Sequence, residues 1–238
     1  MILVSCAEKE FDQNNPQASF SIAKEPYDEK NYDIALKKLG EFKSRFPYSK
    51  YAVEAELLIA NTHFELGHYI ESSSAYNQFI KLHPKHPQVD YAMYRVGLSY
   101  WNDAPTEIDR EQEFTETALK KWNDLTTQFP QSPYTKEAAD LITLGGKRIA
   151  DAEEFIARFY CKQEIWHACA YRYIQIPQKF PQDKERSKKA YLNAATALEK
   201  LADTLTDANK DKNLYFRDMT KEELFKKAQE LRSQAQSL

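Results

Sequence analysis

The chain has 238 residues, 29% of them charged, and a formal net charge of −3 at pH 7. Charges of both signs are interspersed, so there is no electrostatic reason to expect nucleic acid or an anionic membrane as a partner. No apolar run approaches the roughly 18 residues of a membrane span. Only 5 glycines occur, whereas Lys, Glu, Ala, Gln and Leu are plentiful, and this composition favours helices.

The first segment is similar to the end of a bacterial lipoprotein signal. Residues 1–5 are a short apolar run closed by a small residue, and Cys6 follows, at the position that becomes the lipidated N-terminus in such signals. Residues 7–17 are polar and poor in core formers, as a flexible tether would be. We expect residues 1–17 to be a lipobox remnant and tether, the alternative being an ordinary N-terminus with an inert cysteine.

Three kinds of residue then recur along the chain at fixed mutual spacing. Each set has a small residue, an apolar residue seven positions later and a proline five positions after that, and the sets follow one another at steps of 37, 46 and 51. A spacing of seven puts two side chains on one face of a helix, and the proline ends that helix. The sets are Ala35, Phe42 and Pro47; Ser72, Phe79 and Pro84; Ala118, Leu125 and Pro130; and Cys169, Ile176 and Pro181.

This order is typical of the second helix of a tetratricopeptide (TPR) repeat, whose usual period is about 34. Tyr32 and Tyr69, also 37 residues apart, add the aromatic position, and the polar residues 102–110 lengthen the third unit as a loop. We predict an all-α, TPR-type α-solenoid in which residues 18–238 form a single domain, because each repeat must bury its apolar face against its neighbours. The predicted units lie near residues 18–48, 49–86, 87–131, 132–182 and 183–238.

The C-terminus is predicted to close the array with a capping helix. Thr220 and Glu223 have the spacing of a capping box, and an apolar face follows them. No segment alternates with period two over a convincing length, so no strand is expected.

A search for catalytic chemistry finds no site, so we expect a protein without enzymatic activity, metal or cofactor. Gly145-Gly146-Lys147 lacks the rest of a phosphate-binding loop, and a bend in a helix is the better interpretation. His83 and His86 each precede a proline, with no further ligand pair nearby. Glu153-Glu154 is interpreted as a solvated helix face, and His167 as a packing or surface histidine.

The cysteines leave an alternative open. An odd count of three argues against a disulfide framework, which favours buried free thiols at Cys161 and Cys169, although these two residues could pair.

Binding is the function that remains. Tyr91, Tyr94 and Tyr100 are predicted on the first helix of a pair, where they line a concave groove or pack between repeats. Arg95 lies among these rings, so it could clamp a carboxylate of a ligand, or pair with Asp90 or another acid of the helix faces.

Two stretches resemble the BamD family, the TPR lipoproteins of the outer-membrane β-barrel assembly machinery. They run from His83 to Leu98 (HPKHPQVDYAMYRVGL) and from Phe129 to Pro181. The resemblance implies lipidation at Cys6 and a location on the periplasmic face of the outer membrane. It implies as partners a BamA-like insertase, accessory lipoproteins of the complex and unfolded outer-membrane proteins. It also assigns Arg172 to the insertase contact.

The chain departs from the family at several positions. Pro177 is predicted to kink or shorten the helix that carries Arg172, and Tyr171 and Tyr173 add bulk beside it. The segment after about residue 205 matches poorly, which leaves the contacts of accessory lipoproteins in doubt. Two further hypotheses remain open: another periplasmic TPR scaffold, for example one in envelope growth, and an enzyme whose site lies outside known motifs.

Overall fold

The computed structural model describes residues 10–206 and 212–238, which contain ten α-helices and no strand. Cys6 and most of the predicted tether lie outside these residues. The helices are α1 (Pro16–Asp28), α2 (Tyr32–Arg45), α3 (Lys50–Glu65), α4 (Tyr69–Leu82), α5 (Val89–Asp103), α6 (Glu113–Gln128), α7 (Thr135–Lys162), α8 (Trp166–Lys179), α9 (Lys184–Thr204) and α10 (Lys221–Gln236). No helix in the described part is long and apolar enough to cross a bilayer.

The helices form consecutive helix–turn–helix pairs, which confirms the predicted all-α, TPR-type fold. The recurring small and apolar residues fall on α2, α4, α6 and α8, the second helices of their pairs. All eight are at most 1% exposed: Ala35, Ser72, Ala118, Cys169, Phe42, Phe79, Leu125 and Ile176. The spacing found in the sequence is therefore the spacing of the core.

The turns inside three of the pairs share one geometry. Lys30, Gly67 and Glu164 have positive φ values of 62°, 75° and 57°, and each lies two residues before the next helix begins. The residue after each of them donates its backbone N–H five residues back, as in a Schellman motif; the three bonds are Asn31 to Pro26, His68 to His63 and Ile165 to Tyr160, at 2.7, 2.9 and 3.0 Å. The repeat thus extends to the backbone of the turns.

Other local predictions are confirmed as well. Residues 104–112 connect α5 to α6 outside any helix, and Gly145-Gly146 lies within a helix, α7, while the predicted bend there stays a prediction. Thr220 and Glu223 make both hydrogen bonds of the capping box at the start of α10. The shortening expected at Pro177 is wrong: α8 has 14 residues, as α2 and α4 have, and it continues for two residues beyond Pro177.

The described chain divides into two compact units. Unit 1 extends to Ala104 and continues over 113–142, and unit 2 comprises 105–112 and 143–238. In unit 1 the apolar core passes from Phe20, Leu39 and Phe42 to Tyr76 and Phe79, and then to a cluster around Trp122. In unit 2, α9 and α10 bury small and aliphatic side chains against each other: Ala190, Ala194, Leu198, Leu201, Leu224, Ala228 and Leu231. Whether residues 18–238 behave as one domain stays a prediction.

Cys161 and Cys169 form a disulfide, so the expectation of free thiols is wrong. The turn between α7 and α8 folds the two helices back on each other and brings the Cα atoms of the cysteines to 5.0 Å. The sequence could not show this proximity, because it depends on the conformation of the turn.

Candidate functional site

An arginine of α5 lies at the centre of a cluster of rings and polar groups in unit 1. The Arg95 guanidinium carbon is 3.7 Å from the centroid of the Phe64 ring, 5.7 Å from that of Tyr91 and 5.9 Å from that of Tyr76. We call the set the Arg95 cluster; its members are Asn61, Phe64, Glu65, Tyr76, Tyr91 and Arg95. The predicted residues Tyr91 and Arg95 are therefore neighbours in space, on adjacent turns of one helix.

Hydrogen bonds tie the cluster together. Arg95 donates from Nε to the Tyr76 hydroxyl at 3.1 Å and from Nη2 to Glu65 Oε1 at 3.3 Å. The hydroxyls of Tyr76 and Tyr91 both donate to the Asn61 side-chain oxygen. Burial by itself would lower the pKa of Arg95, but the neighbouring tyrosines and Glu65 outweigh it, and the pKa is raised. Arg95 therefore stays charged.

The burial of Arg95 and its ion pair limit its ability to bind a ligand carboxylate. Its side chain is only 15% exposed, and its ion-pair partner is Glu65 of α3. The predicted acid Asp90 instead accepts a hydrogen bond from the backbone N–H of Tyr91. A ligand carboxylate would have to displace Glu65, so the geometry favours Arg95 as the support of the rings around it.

Tyr94 packs on a residue that the sequence did not single out. Its ring stacks on Tyr134 at 5.1 Å between centroids, and the Tyr134 ring also lies 5.6 Å from that of Tyr91. Tyr94 is 6% exposed, and burial, followed by a hydrogen bond with Glu137, raises its pKa. Tyr91 and Tyr134 remain partly exposed. These two rings form the accessible edge of the cluster, and Tyr94 is a packing residue.

The sequence missed Tyr134, Asn61 and Phe64 as members of this site. Tyr134 follows the Ser132-Pro133 turn just before α7. A search of the sequence for aromatic residues at helix starts would therefore find Tyr134. Asn61 lies 30 residues before Tyr91, and nothing local in the sequence connects them.

Arg172, the residue assigned to a partner contact, lies on α8 in unit 2. Its Nη1 is 3.7 Å from Glu153 Oε2, and its side chain is 36% exposed. Lys179 forms a second ion pair with Glu153, whose side chain is 12% exposed. Glu154 pairs with Arg186 at 3.0 Å. The prediction of a solvated face is thus wrong for Glu153, which Arg172 and Lys179 of α8 cover, whereas Glu154 stays partly exposed.

The bulky neighbours of Arg172 are packing residues. Tyr171 stacks on Tyr215 with 3.9 Å between ring centroids, and Tyr173 is 4% exposed. His167 lies 5.8 Å from the same Tyr215 ring, and burial lowers its pKa, which fits the predicted packing role. The tyrosines therefore leave Arg172 accessible between them.

No group of three or more metal-ligating side chains occurs in the described ranges 10–206 and 212–238. His83, a weak metal candidate from its spacing, instead contacts Glu56 Oε2 at 2.7 Å through its Nε2.

Comparison with known proteins gives one family and several relatives. The family model YfiO, described as an outer membrane lipoprotein, matches residues 12–214. The outer membrane protein assembly factor BamD of Neisseria meningitidis serogroup B is 27% identical over 166 residues, which are 66% of this chain and 62% of that protein. This chain thus spans less than two thirds of the length of the Neisseria relatives.

Other matches differ in coverage. BamD of Haemophilus influenzae is 25% identical over 229 residues, 89% of this chain and 87% of its own. A solved structure, the TPR2AB-domain:pHSP90 complex of yeast Sti1, covers 93% of this chain and 83% of its own with a TM-score of 0.47 at 14% identity. The matches to the BamD proteins confirm the resemblance inferred from the two stretches between His83 and Pro181.

Proposed function

Because the chain belongs to the YfiO family of outer membrane lipoproteins, we propose that it is a non-enzymatic scaffold for the assembly of outer-membrane β-barrel proteins. The observation that carries the proposal is the extent of the family match, residues 12–214, which includes all the helix pairs except the last helix. Curated relatives that match this chain are described as outer membrane protein assembly factors.

The proposed scaffold has two binding surfaces and an anchor. Arg172 on α8 binds a BamA-like insertase, and the rings beside Tyr94 and Arg95, with Tyr91 and Tyr134 at the accessible edge, bind unfolded outer-membrane proteins. Lipid at Cys6 holds the chain on the periplasmic face of the outer membrane, and accessory lipoproteins of the complex are further partners.

Arg172 has the geometry that this role needs. At 3.7 Å its pair with Glu153 is longer than a direct hydrogen bond, and the side chain is partly exposed. The guanidinium therefore keeps donors for a carboxylate of a partner, which it can bind through two parallel N–H groups.

The test is a mild-detergent pull-down of the complete lipidated protein, with the co-purifying proteins identified by mass spectrometry. We expect a BamA-like insertase in the unmodified sample. Arg172→Glu should reduce its recovery about tenfold, since reversing a charge at an interface costs on the order of 1–3 kcal/mol. Lys188→Glu, at an exposed position of α9, makes the same change of charge away from the site.

Two results would contradict the proposal. Equal recovery of the insertase with both variants, each folded by circular dichroism, would reject Arg172 as the contact. Recovery of proteins of envelope growth in place of an insertase would favour the alternative, another periplasmic TPR scaffold.

A further inference from the structure

The turn between α7 and α8 differs from its two counterparts in what holds it. In each of the three turns with a positive φ, the residue three positions before the left-handed residue makes the side-chain contact that holds the turn. In the first two turns this side chain is a ring that packs against the ring opening the next helix: Tyr27 on Tyr32 at 5.7 Å and Phe64 on Tyr69 at 5.3 Å. In the third turn the equivalent residue is Cys161, and a disulfide replaces the aromatic contact.

Cys169, the second half of the disulfide, occupies a position that recurs from repeat to repeat. Cys169 takes the position that Ala35 and Ser72 take on α2 and α4, and like them it is 0% exposed. It lies in the first turn of α8, three residues before Arg172, so the two side chains are neighbours along the helix. The disulfide therefore ties the end of α7 to the part of α8 that presents Arg172.

The backbone conformation of this turn is unfavourable and requires a stabilising contact. Glu164 adopts a φ of 57°, a conformation that disfavours any residue with a Cβ, whereas the equivalent Gly67 adopts it freely. Lys30 has the same disadvantage, but its turn keeps the Tyr27–Tyr32 contact. Without the disulfide, the α7–α8 turn would lack both the glycine and the aromatic pair.

We propose that the Cys161–Cys169 disulfide is a redox modification site that positions Arg172, so that binding of the partner through α8 requires the oxidised form. This inference rests on the proposed role of Arg172 in binding the insertase. The modifying agents are thiol–disulfide oxidoreductases, which exchange a dithiol for a disulfide.

The exchange is balanced and has a direction. On oxidation, two thiols lose two protons and two electrons, and the oxidant's disulfide takes up both the electrons and the protons as it becomes a dithiol. On reduction, a thiolate of a dithiol attacks the Cys161 sulfur, because Cys161 is partly exposed and Cys169 is buried. The bond between the two cysteines breaks and Cys169 leaves as the thiolate. The second thiol of the reductant then resolves the mixed disulfide and frees Cys161.

The consequence for binding follows from the ion pairs of α8. When oxidised, the turn holds Arg172 opposite Glu153, which Lys179 also contacts from the last turn of the helix. When reduced, the first turn of α8 frays, and the guanidinium must be ordered again each time a partner binds.

The test compares the oxidised and the reduced forms of the full chain by hydrogen exchange, thermal unfolding and insertase pull-down. Reduction should speed amide exchange in residues 161–170 at least tenfold and leave the peptides of α2 to α4 unchanged. The melting temperature should fall by about 5–10 °C, as for the loss of a disulfide that closes a short loop. Recovery of the insertase should fall at least fivefold.

A variant with both Cys161→Ser and Cys169→Ser is the matched control, because it should show the reduced behaviour with or without reductant.

The outcomes separate this inference from the proposed function. Equal exchange in residues 161–170, or equal recovery of the insertase, in the oxidised and reduced forms would overturn the inference. If neither form binds the insertase, the proposed function fails. Slower exchange in the oxidised form would then show that the disulfide orders the turn, but the proposed role of the disulfide in binding would also be wrong.

Discussion

Glu56 is a carboxylate of α3 that a lysine and a histidine from other elements hold in place. His83 Nε2 lies 2.7 Å from one carboxylate oxygen, and Lys43 Nζ of α2 lies 2.9 Å from the other. The Glu56 side chain is 16% exposed. Burial by itself would raise the pKa of Glu56, but the hydrogen bonds with His83 and Lys43 outweigh burial, and the pKa is lowered. Three elements of unit 1 are thus joined through one titratable group.

The lowered pKa makes this contribution to stability depend on pH in a defined direction. The folded protein holds Glu56 ionised below the ordinary pKa of 4.5, so the stabilisation is complete above that value and is lost as the pH falls through the folded pKa. Glu56→Gln should lower the free energy of unfolding by about 1–2 kcal/mol at pH 7. The difference from the unmodified protein should shrink below pH 4.5, measured by urea unfolding from pH 7 to 3.

Glu54→Gln, at an exposed position of the same helix, is the control and should change stability by less than about 0.5 kcal/mol. A difference between Glu56→Gln and the unmodified protein that stays constant down to pH 3 would mean that the carboxylate charge contributes nothing.

The helices show which signals a sequence carries. Helices α2, α4, α6 and α8 were predictable because their signals are local: two buried residues seven apart and a proline just beyond the helix end. The left-handed turns at Lys30 and Glu164 were not predictable, because neither residue is a glycine. The disulfide depends on the second of these turns. In the same way, the bonds from two tyrosines to Asn61 need the packing of helices far apart in sequence.

The packing of α5 against α6 depends on one glycine. A Cβ placed on Gly97 would lie 2.2 Å from Nε1 of Trp122, a residue that is 0% exposed. That same nitrogen donates a hydrogen bond to the Tyr94 carbonyl at 3.1 Å. The indole cannot retreat without losing this bond and leaving a buried donor unpaired, so the absence of a side chain at Gly97 sets the distance between the two helices.

Gly97→Ala should therefore destabilise the protein by about 2–4 kcal/mol, from overpacking and a weakened buried hydrogen bond. Chemical denaturation monitored by tryptophan fluorescence measures it, because Trp122 is at the site. The matched control is Gly40→Ala in α2, where a Cβ meets nothing within 4 Å. This control should stabilise the protein by about 0.5–1 kcal/mol. Equal effects of the two changes would show that α5 and α6 have room to separate.

At the scale of the whole molecule, the two candidate surfaces belong to different compact units. Tyr91 and Tyr134 lie in unit 1, and Arg172 lies in unit 2. Each unit contains apolar side chains buried among its own helices. A change at the accessible surface of one unit leaves the buried contacts of the other unit intact, so the two binding activities of the proposed scaffold should be separable by mutation.

That separation is the last prediction. Tyr91→Ala together with Tyr134→Ala should reduce cross-linking to an unfolded β-barrel substrate, or to its C-terminal peptide, at least fivefold, because exposed rings carry much of the affinity at such surfaces. Recovery of the insertase should not change. Arg172→Glu should reduce recovery of the insertase and leave cross-linking to the substrate unchanged. Tyr48→Ala removes a ring of unit 1 that is 100% exposed and should affect neither.

Circular dichroism must show the same helix content in every variant. If the tyrosine pair and Arg172→Glu each reduce both activities in folded protein, substrate and insertase share one surface, and the assignment of a separate surface to each unit is wrong. If the tyrosine pair leaves cross-linking unchanged, the substrate does not bind at the edge of the Arg95 cluster. In that case the rings there serve only the packing between α3, α5 and the turn before α7.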